Sequence, residues 1–181
     1  MTQTTPPTLR QVGHWSEPSR YLSGRLCVEF EDLRPGLRQV VYLELRNHDF
    51  TPVATTNQPE TRATLLNAQG QQVDPTELML SGPIPEPQWA LIPREAYVGF
   101  RINMQTVGLP TAEHGVVILA VGGRSWALEP GTYQLNVTAV FGQDDRGPAA
   151  QWNGELALPA VDVIVTQAML EPASSEDTPA N

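Results

Sequence analysis

In the stretch LEPGTYQLNVTAVFG, residues 128–142, the side chains of Tyr133, Leu135, Val137, Ala139 and Phe141 alternate one by one with Thr132, Gln134, Asn136, Thr138 and Val140. A period of two puts successive side chains on opposite faces of a strand, so this segment reads as a strand with one face in hydrocarbon. The pattern recurs. GRLCVEFE sets Leu26, Val28 and Phe30 against Arg25, Cys27, Glu29 and Glu31, and RQVVYLELRN sets Val41, Leu43 and Leu45 against Val40, Tyr42, Glu44 and Arg46. EAYVGFRINM sets Ala96, Val98, Phe100, Ile102 and Met104 against Glu95, Tyr97, Gly99, Arg101 and Asn103. Weaker strands are expected at RATLLN, TELML, GVVILAV, SWAL and GELALPAVDVIVTQ. Sustained helical spacing is absent, with a single helical turn expected at LPTAEHG. Strands with one dry face must cover one another, and two antiparallel sheets packed face to face do so most economically. A closed barrel is the alternative.

The turns carry their own chemistry. Gly70 in AQGQ and the Gly122–Gly123 pair can supply the positive φ that tight hairpins require. RPG at Arg34–Gly36 and EPG at Glu129–Gly131 fit type II turns, with proline at the second position and glycine at the third. The 17 prolines and 14 glycines among 181 residues fit many short elements punctuated by turns. The prolines of SGPIPEPQ fall between strands, where they also hinder edge-to-edge pairing.

The charge restricts partners. The formal net charge is −9; residues 1–20 carry a net +1 and residues 167–181 a net −3, which leaves −7 on the body between them. Such a surface does not suit nucleic acid, whose binding is driven by counterion release on contact with basic groups, and an anionic membrane surface is disfavoured for the same reason. All 11 basic residues are arginine, which removes Schiff-base and P-loop lysine chemistry. The single cysteine, Cys27, can form no internal disulfide. With Met1 as the start, the chain shows no signal-peptide core and no run of about 18 apolar residues, and a cytoplasmic protein is expected.

Residues 1–20 are rich in Thr, Pro and Gln and are expected to form an arm that is disordered or laid on the surface; 21–167 hold the β-sandwich domain; 168–181 form an acidic, flexible tail. No repeat of 20–50 residues is visible.

LEPGTYQLNVTAV resembles the turn and penultimate strand of immunoglobulin-like and fibronectin type III-like sandwiches, in which a Pro-Gly turn precedes an aromatic residue that begins a long alternating strand. YLELRNHDFTPV, LIPREAYVGFRI and WNGELALPAVDVIV look like further pieces of such modules, and together these cover most of residues 24–166. The resemblance implies an all-β, two-sheet antiparallel immunoglobulin-like β-sandwich with flexible N- and C-terminal tails. It also implies a tyrosine, here Tyr133, bonded to the backbone just upstream. It implies no catalytic residue, because the fold does not fix a function.

The polar residues give the ordinary reading in each case. His14, His48 and His114 are too far apart in sequence for a zinc-ligand pair. Asn47–Asp49 fits an Asx turn. Asp144 and Asp145 are adjacent on an extended loop, where their side chains diverge rather than converge on calcium. The sequence around Ser125 lacks the spacing of a nucleophile elbow, Cys27 lies between apolar neighbours on a strand, and no GxGxxG occurs. No catalytic, cofactor-binding or metal-binding residue is therefore assigned.

Among the four tryptophans, Trp126 belongs to an apolar run, Trp15 lies in the arm, and Trp89 and Trp152 border loops. The candidate interaction residues are Trp89, Asp144, Asp145, Arg146 and Trp152, in the loops SGPIPEPQW and GQDDRGPAAQWNG. The sequence thus favours a non-catalytic module for protein interaction or structure. The alternative is a carbohydrate-binding module that uses two loop tryptophans as a platform, which requires both indole faces on one surface. An enzyme would need polar residues from separate strands to meet in space.

Overall fold

The computed structural model describes residues 9–33, 36–76, 86–102 and 117–170, and for residues 9, 31–33 and 36–38 it describes the backbone alone. Among them the chain is all-β, in several antiparallel sheets, none closed into a barrel. Its strands are β1 (Leu9–Val12), β2 (Leu22–Leu33), β3 (Gly36–Asn47), β4 (Val53–Thr56), β5 (Glu60–Asn67), β6 (Trp89–Ile92), β7 (Tyr97–Arg101), β8 (Val117–Val121), β9 (Arg124–Leu128), β10 (Gly131–Phe141), β11 (Gly154–Ala157) and β12 (Val161–Val165). A short 3-10 helix, Gln167–Met169, follows β12.

One sheet has the order β1-β2-β3-β7. Its centre is the long β2–β3 ribbon, in register from Leu33↔Gly36 to Leu22↔Asn47. That register stacks the alternating apolar residues of both strands on one face: Leu26 opposite Leu43 and Val28 opposite Val41, all four fully buried. A second sheet is built on β10, with β5 along one side and β11 followed by β12 along the other. Here Leu135 lies opposite Leu65 and Val161, and Ala139 opposite Leu156. Two-stranded ribbons β4-β6 and β8-β9 complete the arrangement. The dry faces of both four-stranded sheets and the inward residues of the ribbons form one hydrophobic cluster that includes Phe30, Phe100, Trp126 and Phe141. Each such leucine or phenylalanine contributes about 1.5–3 kcal/mol relative to exposure.

The expected alternation is present in β7 and β10; in β2 and β3 Cys27, Val40 and Glu44, expected on the outer face, are buried as well, Cys27 and Glu44 beneath Arg10, and Val117–Val121 pairs with Arg124–Leu128 as the hairpin β8–β9. Gly122 and Gly123, at φ +62 and +70, form its two-residue turn, and Gly70 has φ +74. The Glu129–Gly131 turn is not type II: Gly131 has no positive φ, because it is already the first residue of β10, paired with Val165. The stretch expected as a single strand from Gly154 onward is two. Pro159 has no N–H for the ladder, and the chain meets β10 twice, on either side of that interruption. The N-terminal arm enters the first sheet at Leu9–Val12, where backbone pairing with β2 outweighs its poor apolar pattern. Residues 77–80 of TELML, Arg34–Pro35, Met104, His114 and the LPTAEHG turn lie outside the described residues, as does the tail beyond Leu170. No helix among the described residues is long and apolar enough to cross a membrane.

Candidate functional site

Four of the five candidate interaction residues line one cleft. The end of β4 and the start of β6 supply Thr56, Gln58 and Trp89, and the loop after β10 supplies Asp144, Asp145 and Arg146; the space between them is about 590 Å³. Both rims are braced by local bonds. On one, the N–H of Asn57 donates to the carbonyl of Gln88 at 2.9 Å, and the N–H of Gln88 donates to Asn57 Oδ1 at 2.8 Å. On the other, the Gln151 side chain spans the loop: its Oε1 accepts the N–H of Asp144 at 3.0 Å and its Nε2 donates to the Asp144 carbonyl at 2.8 Å.

Asp144 organises the loop tip. Its Oδ1 accepts the backbone N–H of Arg146 at 2.9 Å and the Arg146 Nε–H at 3.3 Å. Those bonds, the backbone one first, hold its carboxyl below the usual carboxylate range. Asp145 is exposed and makes no side-chain bond among the described residues, so its carboxylate faces the cleft's solvent uncompensated. The floor is Trp89, half-buried. Gly147 lies directly on its indole: a Cβ there would come 2.4 Å from Cζ2, so only glycine lets the loop close on the ring.

Trp152 is the fifth candidate, and it does not join the others at the surface. It is buried, its ring meets Phe141 edge-on at 5.4 Å, and its indole N–H donates to the Arg20 carbonyl at 3.3 Å. A platform of two exposed loop tryptophans is therefore not formed by Trp89 and Trp152. Phe141, the last apolar residue of β10, draws the indole inward.

The polar face of the β1-β2-β3-β7 sheet holds a cluster the sequence did not single out. Glu44, almost fully buried, accepts Arg10 Nη2 at 2.7 Å on one carboxylate oxygen and Arg25 Nε at 2.6 Å on the other. Arg10 also pairs with Glu29 at 3.1 Å and covers the sulfur of Cys27, to which it donates at 3.7 Å. The ring of Trp15 lies 4.5 Å from the Arg25 guanidinium, so the arm residue clamps this face. Burial is the main cause that lifts the Cys27 thiol above its ordinary range; the bond from Arg10 works the other way. Each charged group here is matched by another, an arrangement that holds strands in register and leaves the thiol protonated at neutral pH.

The histidines are separate: His14 is exposed, and His48 Nε2 is 2.8 Å from Ser23 Oγ. Asn47 Oδ1 accepts the Asp49 N–H at 2.8 Å, the expected Asx turn. Among the described residues no group of three or more His, Cys, Asp and Glu could hold a metal ion. Tyr133 donates its hydroxyl to the Glu129 carbonyl at 3.1 Å. Comparison of the chain with known protein families, curated proteins and solved structures gives no match.

Proposed function

We propose that the chain is a non-catalytic β-sandwich module of the immunoglobulin-like kind that binds a segment of another protein in the cleft around Trp89. Two features support the sandwich: the shared core between the β2–β3 and β10 sheets, and the Tyr133 hydroxyl bonded to the backbone four residues upstream. The observation that carries the binding reading is the cleft itself. A half-buried indole floor, braced rims, an uncompensated Asp145 and an exposed Arg146 form an amphipathic site on loops held by a rigid scaffold. Aromatic and arginine side chains dominate the energetics of protein recognition, and a pre-braced loop loses little entropy on binding.

The test is co-purification from the native cell with the wild type, Trp89→Ala and Asp145→Arg. The reading expects one protein recovered by the wild type and lost with both variants. Recovery unchanged by either substitution overturns it. Asp145 is exposed and bonded to no described side chain, so its replacement leaves the fold intact if Trp89→Ala does not. The carbohydrate alternative requires Trp89 and Trp152 together on one surface, and with Trp152 buried it loses that platform.

A further inference from the structure

Away from the cleft, three of the most exposed large apolar side chains converge on one end of the molecule: Phe50 at 77 %, Tyr97 at 65 % and Tyr21 at 62 % relative exposure. Backbone bonds bring them together. The N–H of His48 donates to the Tyr21 carbonyl at 2.8 Å, Phe50 follows two residues later, and the N–H of Glu95 donates to the Asn47 carbonyl at 2.9 Å. Tyr97 lies opposite Arg46 in the β3–β7 register. The Arg94 guanidinium sits 4.3 Å over the Phe50 ring.

The backbone that carries these side chains is strained. Arg20, Tyr21 and Glu95 are the non-glycine residues with positive φ among the described residues, and all three belong to this end. Strain of this kind persists where the surroundings enforce it and gathers at functional surfaces. The enforcement is visible: Arg20 Nη1 donates to the Asn153 carbonyl at 3.2 Å and to its Oδ1 at 3.3 Å, and the Arg20 carbonyl accepts the buried Trp152 indole N–H.

The charges at this end select the occupant. Arg20, Arg46 and Arg94 are balanced by Glu17, Asp49 and Glu95, so the patch is electrically neutral on a chain of net charge −9. Two copies that approach through any strongly acidic face repel; here they do not. Within the patch Arg46 pairs with Glu95, and Asp49 accepts the Phe50 N–H and the Thr51 hydroxyl. Arg94 and Glu17 have no ion-pair partner among the described residues. Arg20, bonded to Asn153, and Asp49 pair with no charged side chain there either, so each copy offers two cations and two anions without an ion-pair partner among the described residues, together with three aromatic rings, which is the self-complementarity a twofold contact demands. We propose that this aromatic end is a self-association surface on which two copies of the chain meet about a twofold axis.

Sedimentation equilibrium of the full chain over a wide concentration range tests the proposal, with Phe50→Ser/Tyr97→Ser and Arg94→Glu measured alongside. The expected result is a monomer–dimer equilibrium whose Kd rises at least about tenfold in each variant, since truncating central aromatic or arginine anchors typically has such effects. Circular dichroism reports whether the variants keep their strands; should the double variant lose its fold, the exposed Arg94→Glu decides. A wild type that stays monomeric at every soluble concentration overturns the proposal. So does a dimer whose Kd neither variant moves.

Discussion

The side-chain amide of Gln11 in β1 pairs with the backbone of Ile164 in β12: Nε2 donates to the Ile164 carbonyl at 3.3 Å, and Oε1 accepts the Ile164 N–H at 3.2 Å. β12 is an outer strand of its sheet, and β1 is an outer strand of the other. The amide thus imitates one residue of a neighbouring strand and occupies an edge that would otherwise be a template for pairing. In Gln11→Ala the Ile164 amide should exchange with solvent faster, while the amides of Leu135 and Val137 at the sheet centre keep their protection. Both bonds are exposed, so water replaces them and the stability loss should stay near 0.5–1 kcal/mol. Residue-resolved hydrogen exchange measures both effects.

Asn47 is a different case, because it is fully buried. Its Nδ2 donates to the carbonyls of Thr51 at 2.9 Å and Ile92 at 3.0 Å, and its Oδ1 accepts the Asp49 N–H. One side chain therefore joins the end of β3, the loop after it and the end of β6. Asn47→Ala leaves these backbone groups without partners and should cost about 3 kcal/mol, seen as a lower urea midpoint. Asn47→Asp should be worse at neutral pH, since a carboxylate would face two carbonyl oxygens.

Cys27 supplies a pH dependence with a definite sign. Burial raises its pKa in the folded state, so above the ordinary thiol value of about 8.5 the unfolded chain releases a proton that the folded chain retains. Its contribution to stability is constant below that value and is lost as pH rises further toward the folded pKa. The urea midpoint of the wild type should therefore fall more steeply between pH 8 and pH 10 than that of Cys27→Ala, pH values being approximate bounds set by the ordinary thiol pKa. Arg10→Ala uncovers the sulfur and should speed its reaction with a thiol reagent at neutral pH, because access governs a buried thiol.

Much of the architecture was readable because alternation is local. Residues such as Leu26, Val41 and Val137 declare their burial through their immediate neighbours. The strands that escaped notice, β1, β4 and β6, have four residues each, too few to display a period. They exist through partners: Ala54, for instance, is held by Leu91 on one side and by Gln151 on the other. The cleft was half legible. GQDDRG and the Trp89 loop announced themselves by composition, whereas the burial of Trp152 depends on Phe141 and Arg20, which no local pattern links to it. The Arg25–Glu44 pair was encoded more subtly. The β2–β3 register, running from Leu33↔Gly36 to Leu22↔Asn47, places Arg25 opposite Glu44, and that pair cannot be read until the register is known. Tyr21, Phe50 and Tyr97 are scattered singly in the sequence, and only the fold assembles them.

The Arg20–Tyr21 turn yields the last prediction. Ser19 and Leu22 exchange both backbone bonds, at 2.8 and 3.0 Å, and the two residues between them have φ of +46 and +68. This is the geometry of a two-residue turn with both central residues left-handed, for which Asn-Gly is preferred and a tyrosine costs about 1–2 kcal/mol. Tyr21 is mostly exposed, so its ring recovers little of that cost within a single copy. Tyr21→Gly removes the strain, and the extra freedom of glycine in the unfolded chain takes back part of the gain. At high dilution, where the chain is monomeric, the variant should melt about 2–4 °C higher than the wild type for a net gain near 1 kcal/mol. At high concentration the order should narrow or reverse, because self-association stabilises the wild type by mass action and the variant lacks one of the three rings. Melting temperatures measured against concentration separate the two contributions: parallel curves would mean that Tyr21 takes no part in the contact between copies, and a lower variant curve at high dilution would mean that its backbone is not strained.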